Sequence, residues 1–222
     1  RSDFFNMNYL IFILHNIIIT IATLIASRLG KNYLISLLAL YGVLANLFVL
    51  KQITLFGLEV TSSDVFIVGI SLGLNLLQEK YDQKTAQGVV WVSFWILLVY
   101  TILSQFHIWY TPNELDQTQA HFMALLSIAP RLTGASLVSY LISQTIDVYL
   151  YAYLKNKSFY FIRNYASIAI SQLTDTIIFS IIGLAGLGYN LLHIIVFSYI
   201  IKLMAITLCI LTATHLRKII KT

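Results

Sequence analysis

The sequence predicts an all-α fold, a polytopic membrane helix bundle, from three observations. Of its 222 residues 59% are hydrophobic and 10% are charged, whereas soluble domains carry about 25% charged residues. The mean hydropathy is +0.82. The apolar residues gather into runs of the ~20 residues that a helix needs to cross a bilayer, interrupted by only two prolines and ten glycines. Barrel strands would instead alternate over about ten residues. One domain over 1–222 is expected, with the lipid bilayer as its surroundings.

Taken in order, spans are expected at 9–27, 33–50, 63–80, 89–107, 131–154, 163–187 and 191–213. The first run is too long for a signal-peptide core and lacks a small-residue cleavage site, so it reads as a retained span. Asp64 sits where the third span begins, and 58–63 reads as a loop dipping towards the membrane. Trp91 and Trp95 lie within the fourth span, and Trp109 and Tyr110 mark its outer end as interface anchors. In the longest connection, Thr111-Pro112-Asn113-Glu114 reads as a helix start with Thr111 as cap and Glu114 closing a capping box. Residues 120–128 then form an interfacial helix.

Charge supports seven spans. Arg28 with Lys31, Lys80 with Lys84, Lys155 with Lys157 and Arg163, and Arg217 with Lys218 and Lys221 fall on alternate connections. The opposite connections hold little beyond Lys51, Glu59, Glu114 and Asp116. An N-terminus outside and a C-terminus in the cytoplasm put every basic cluster on the inner face. Six spans would break that pattern. The net charge of +5 therefore reads as orientation rather than direct nucleic-acid binding.

Several chemistries find no support. Cys209 is the only cysteine, which excludes an intrachain disulfide and a multi-cysteine metal site. His15, His107, His121, His193 and His215 show no ligand spacing, and there is no phosphate-binding P-loop. No metal and no cofactor is expected. Gly69-Ile70-Ser71-Leu72-Gly73 matches the G-x-S-x-G of serine hydrolases, but that mechanism needs a strained strand-to-helix turn. Within a membrane helix the same glycines read as a G-x-x-x-G packing face.

Polar residues inside the spans point elsewhere. Ser71, Asn75, Gln78 and Glu79 share a face of the third span. Ser136, Tyr140, Ser143, Gln144, Asp147 and Tyr151 follow helical spacing in the fifth, as do Asn164, Ser167, Ser171, Gln172 and Asp175 in the sixth. Ser-Gln-x-x-Asp thus occurs twice, on neighbouring spans. Lys202 lies near the middle of the seventh. Ion pairing of Lys202 with Asp147 or Asp175 explains one pair. Ionisable groups in this number inside a membrane mark a substrate or proton path. A carboxylate beside a glutamine amide suits a planar, donor-rich solute, with Tyr140, Tyr149, Tyr151 and Phe179 as stacking faces.

The phrases narrow this further. Pro130-Arg131-Leu132, Ser139-Tyr140-Leu141-Ile142-Ser143-Gln144 with Asp147, and Ile162-Arg163-Asn164-Tyr165-Ala166-Ser167 with Ser171-Gln172-Leu173-Thr174-Asp175 closely resemble the queuosine precursor transporter family of bacteria. Tyr199-Ile200-Ile201-Lys202 and Asn46-Leu47 with Leu55-Phe56-Gly57-Leu58 extend the resemblance from about Tyr33 to the C-terminus. It implies a six-span core preceded here by one helix. It also implies uptake across the cytoplasmic membrane of a nucleobase-like 7-deazaguanine (queuine or its cyano or aminomethyl precursor), and substrate binding by Arg131, Gln144, Asp147, Asn164, Gln172, Asp175 and Lys202. Asn75 and Glu79 join this expected set. Asn75 stands where the family has an aspartate and Asp82 where it has a glycine, which suggests an altered substrate choice or proton coupling.

The expected protein is a monomeric or homodimeric importer. Asp147 and Asp175 would read the donor edge of the base, Gln144 and Gln172 its carbonyl, and Lys202 would balance charge. Two alternatives are a substrate-capture subunit with an ATP-driven partner and an intramembrane hydrolase using Ser71.

Overall fold

The computed structural model describes residues 2–127, 130–186 and 190–219. The helices are α1 (Ser2–Leu29), α2 (Lys31–Phe48), α3 (Asp64–Lys80), α4 (Gln83–Trp109), α5 (Gln119–Leu126), α6 (Pro130–Leu154), α7 (Tyr160–Phe179) and α8 (Leu191–Ile219). A hairpin of β1 (Gln52–Leu55) and β2 (Leu58–Thr61) precedes α3, and a π turn, Ser180–Leu184, continues α7. A helix stands at each of the seven expected spans. Five of them are long and apolar enough to cross a bilayer, and α5 with α6 makes a sixth if the two form one span. The expected end of the sixth span at 187, and the side chains of Arg217, Lys218 and Lys221, lie outside the described residues.

The short helix α3 is the axis. Its 17 residues rise about 25 Å, less than the ~30 Å hydrocarbon core. It has no need to reach lipid, because α1, α2, α4, α6, α7 and α8 all pack around it, and every residue from Val65 to Gln78 except Ile67 is buried. Close approach is made possible by the two glycines singled out above. A Cβ on Gly69 would lie 2.5 Å from Ile19 of α1, and one on Gly73 would collide with Leu38 of α2.

The remaining helices are arranged polar inward and apolar outward. Leu10, Leu14, Ile18, Trp91, Trp95 and Leu103 are exposed, as lipid contact demands. Asn16, Thr20 and Thr23 of α1 are buried and donate to backbone carbonyls one turn back, at 2.7 to 2.8 Å. Such back-bonding occupies the two hydroxyls and the Asn16 NH₂ without leaving the helix.

The connections correct three expectations. Residues 58–61 form a strand rather than a dipping loop. Phe56 (φ 53°) and Gly57 (φ 78°) make the two-residue turn whose twist suits an antiparallel pair, with Leu55 and Val60 buried beneath. Thr111 caps nothing: α5 starts at Gln119, where Asp116 accepts hydrogen bonds from the Thr118 (2.6 Å) and Gln119 (3.2 Å) amides. The sixth span is not a plain α-helix to its end but loosens into the π turn. Asp82, one departure from the family phrase, has a local role. It is the N-cap of α4, accepting from the Thr85 amide at 2.6 Å, and that hydrogen bond holds its carboxyl below the usual carboxylate range.

Candidate functional site

Asp64, Ser71, Asn75 and Glu79 recur along α3 at intervals of whole helical turns. They anchor three polar layers, the outer two about 10–12 Å from the level of Ser71 by helix rise.

At the hairpin end, the Lys202 ammonium of α8 donates to Asp175 of α7 at 2.7 Å and lies 3.6 Å from Asp64. Lys202 is buried between the two carboxylates. Of the two expected partners for Lys202, Asp175 is therefore the one engaged. Asp64 is the residue that sequence reasoning missed. Its signal was a position seven residues before Ser71, on the same stripe, hidden by its place at a span boundary.

At the opposite end Glu79 accepts from both Arg163 of α7 and the Tyr151 hydroxyl of α6. Arg163 also donates to the Tyr151 oxygen at 3.1 Å and to the Lys155 carbonyl at 2.8 Å, and Lys155 donates to the Gln78 carbonyl. Lys80 reaches the Ser27 carbonyl at 2.7 Å, and Lys31 lies over the Tyr81 ring. The basic residues of three connections thus gather at this one end.

The central layer is polar, buried and under-bonded. Ser71 donates to the Gln144 carbonyl at 3.0 Å. The Asn75 amide donates to Asn164 and to Ser167, both at 3.2 Å. The hydroxyls of Ser71 and Ser167 also lie beside Asp147. Yet both oxygens of Asp147, the Gln144 NH₂ and the Asn75 carbonyl find no protein partner among the described residues, nor do the amides of Gln78, one residue before Glu79, and Gln172, one turn before Asp175. Asn75, Gln144, Asp147 and Gln172 are each 0% exposed. Native cores leave few such groups unbonded, so this many of them between the two ion-paired layers marks groups held ready for something else.

Two expected residues stand apart. Arg131 is exposed and donates to the Ile182 and Ala185 carbonyls, each at 2.6 Å, so it closes the π turn after α7 rather than entering the central layer. Tyr149 is exposed, away from the face carrying Asp147. Ser71 delivers its proton to an amide carbonyl, and no histidine hydrogen-bonds it among the described residues, so the triad geometry of a hydrolase is not assembled.

The sequence model of a family described as "Putative vitamin uptake transporter" matches residues 61–216, a stretch that holds all three layers. The chain is also similar to a Bacillus subtilis (strain 168) protein named "Probable queuosine precursor transporter", 34% identical over 206 residues that cover 89% of each chain. No solved structure matches.

Proposed function

The chain belongs to the vitamin uptake transporter family, and from that premise we propose that it imports a queuosine precursor base by secondary transport. It is a multi-pass membrane protein, and transport rather than catalysis is its work. The bacterial cytoplasmic membrane is its site of action. The observation that carries the reading is the set of unbonded amides and one carboxyl buried between the two ion-paired layers. The edge of a 7-deazaguanine ring offers N–H and NH₂ donors beside one carbonyl, a complement to Gln172, Gln144, Asn75 and Asp147. Asp175, engaged by Lys202, serves the closure of the hairpin end rather than the reading of the base.

Transport then proceeds by alternating access. With the Lys202 layer and the Glu79 layer both formed, the site is shut at both ends. Parting one layer at a time would expose it to one side of the membrane. Uptake of labelled queuine and its cyano and aminomethyl precursors into cells that lack their own importer tests this. Accumulation of one of them, lost in Gln144→Leu and Gln172→Leu, is expected. No uptake by a protein shown to be in the membrane contradicts it. Uptake that stops on ATP depletion but survives an uncoupler would instead indicate an ATP-driven partner.

A further inference from the structure

Four carboxylates lie in the body of the bundle, and three are paired: Glu79 with Arg163, Asp64 and Asp175 with Lys202. Asp147 is the exception. It is fully buried, with no ion pair and no hydrogen bond among the described residues. The elements packed against α6 are α3, α4, α7 and the π turn, and α2 touches it where Asn46 accepts from Ser136; of the titratable groups of α2, Lys31 and Tyr33 lie at its other end and Tyr41 donates to the Ile19 carbonyl. From α3 come Asp64, Glu79 and Lys80, and from α7 Tyr160, Arg163, Tyr165 and Asp175; each charged group among them is engaged in the contacts given above. From α4 come Tyr100 and, at its exposed ends, Lys84 and His107. The π turn carries no titratable group. What lies beside Asp147 is the hydroxyls of Ser71 and Ser167, which can solvate a charge but not neutralise it.

A carboxylate shut away from water without a cation is expensive, and it is relieved either by a proton or by a positive partner. Lys202 and Arg163 are both held in the outer layers, so no side chain is free to swing in. An empty closed site therefore needs a proton on Asp147. A loaded closed site can dispense with it if the substrate brings its own positive charge. The aminomethyl base and queuine each carry an alkylammonium arm, and the cyano base does not.

Resting on the importer reading above, we infer that Asp147 exchanges its proton for the ammonium group of an amine-bearing 7-deazaguanine. The carboxyl O–H gives up its proton to solvent as the carboxylate accepts an N–H from the ammonium, one proton out for one cation bound. The closed site is neutral both empty and full. The amides of Gln144 and Gln172 read the ring and Asp147 reads the arm, which makes this chain selective for the amine-bearing bases over the cyano one.

Calorimetric titration of the purified protein with aminomethyl- and cyano-7-deazaguanine, in buffers of different ionisation enthalpy, counts the proton directly. The aminomethyl base should release one proton, and its affinity should rise about tenfold from pH 6 to 7. The cyano base should show neither effect. In Asp147→Asn the aminomethyl base should lose its pH dependence and its advantage over the cyano base. Binding of the aminomethyl base without proton release, or the same release with the cyano base, overturns the inference alone. Failure of every base to bind overturns the importer reading and the inference with it. The proton count on the unaltered protein stands whether or not the variant folds.

Discussion

An amide that hydrogen-bonds to nothing in a closed core costs stability, by about 1–3 kcal/mol for a buried polar group left unsatisfied. Gln172 has both ends in that condition. Its replacement by leucine, close in size and without polar atoms, should therefore leave the melting temperature unchanged or higher. A glutamine kept for packing alone would give a lower one. Lys202 has the opposite signature. Lys202→Met strands Asp64 and Asp175 together and should cost about 3–5 kcal/mol; adding Asp64→Asn and Asp175→Asn should recover most of it, read as thermal unfolding in detergent. Residues of both kinds were legible wherever they interrupted an apolar run, as Gln144, Asp147, Gln172, Asp175 and Lys202 do. Asp64 was not, because a carboxylate at the edge of a run reads equally as loop. Nor does a residue's presence in a family phrase say where it points: Arg131 secures a turn.

Among the elements, α3 carries the account, since it supplies a residue to every layer and its glycines set how closely α1 and α2 approach. The methyl introduced by Gly69→Ala meets Cγ2 of Ile19, which is bonded directly to the β-carbon, so relief requires a disfavoured χ1 rotamer or a backbone shift. Overpacking of that kind costs about 1–3 kcal/mol. Ser71→Ala loses one interhelical hydrogen bond, worth about 0.6 kcal/mol within membranes. Gly69→Ala should thus melt lower than Ser71→Ala, and a serine-reactive probe should not label the unaltered protein; labelling of Ser71 would revive the hydrolase reading. Hydropathy placed the long helices well, because lipid-facing residues must be apolar. It could not distinguish a lipid-exposed span from a helix sheathed by protein such as α3. The hairpin was hidden for another reason: each strand has only four residues, too few for alternation to stand out. The false capping box shows that a cap phrase is permissive, and here Asp116 satisfies the first amides of α5 instead.

For the whole molecule the central proposition is a substrate layer shut between two ion-pair layers that open in turn. Cysteines at Glu79 and Arg163, placed in a Cys209→Ser background and joined by a short thiol cross-linker, should abolish uptake until the link is cleaved. A linked protein that still transports would mean that this end does not open. The charge asymmetry predicts the orientation: a cysteine at Lys157 should react with an impermeant maleimide only from the cytoplasm and one at Glu59 only from outside; the reverse pattern would invert the topology. Such asymmetry was legible in the connections, whereas the layering was not, because it arises from how α3, α6, α7 and α8 are set in register. The most direct test is a binding titration of queuine and its two precursors against the unaltered protein and Gln172→Leu, with melting curves alongside. One base should bind the unaltered protein and bind Gln172→Leu at least about tenfold more weakly, the loss of a buried hydrogen bond of about 1.4 kcal/mol, while the variant melts no lower. Equal binding by both proteins, or a variant that loses stability but not affinity, would contradict a central layer built for a base.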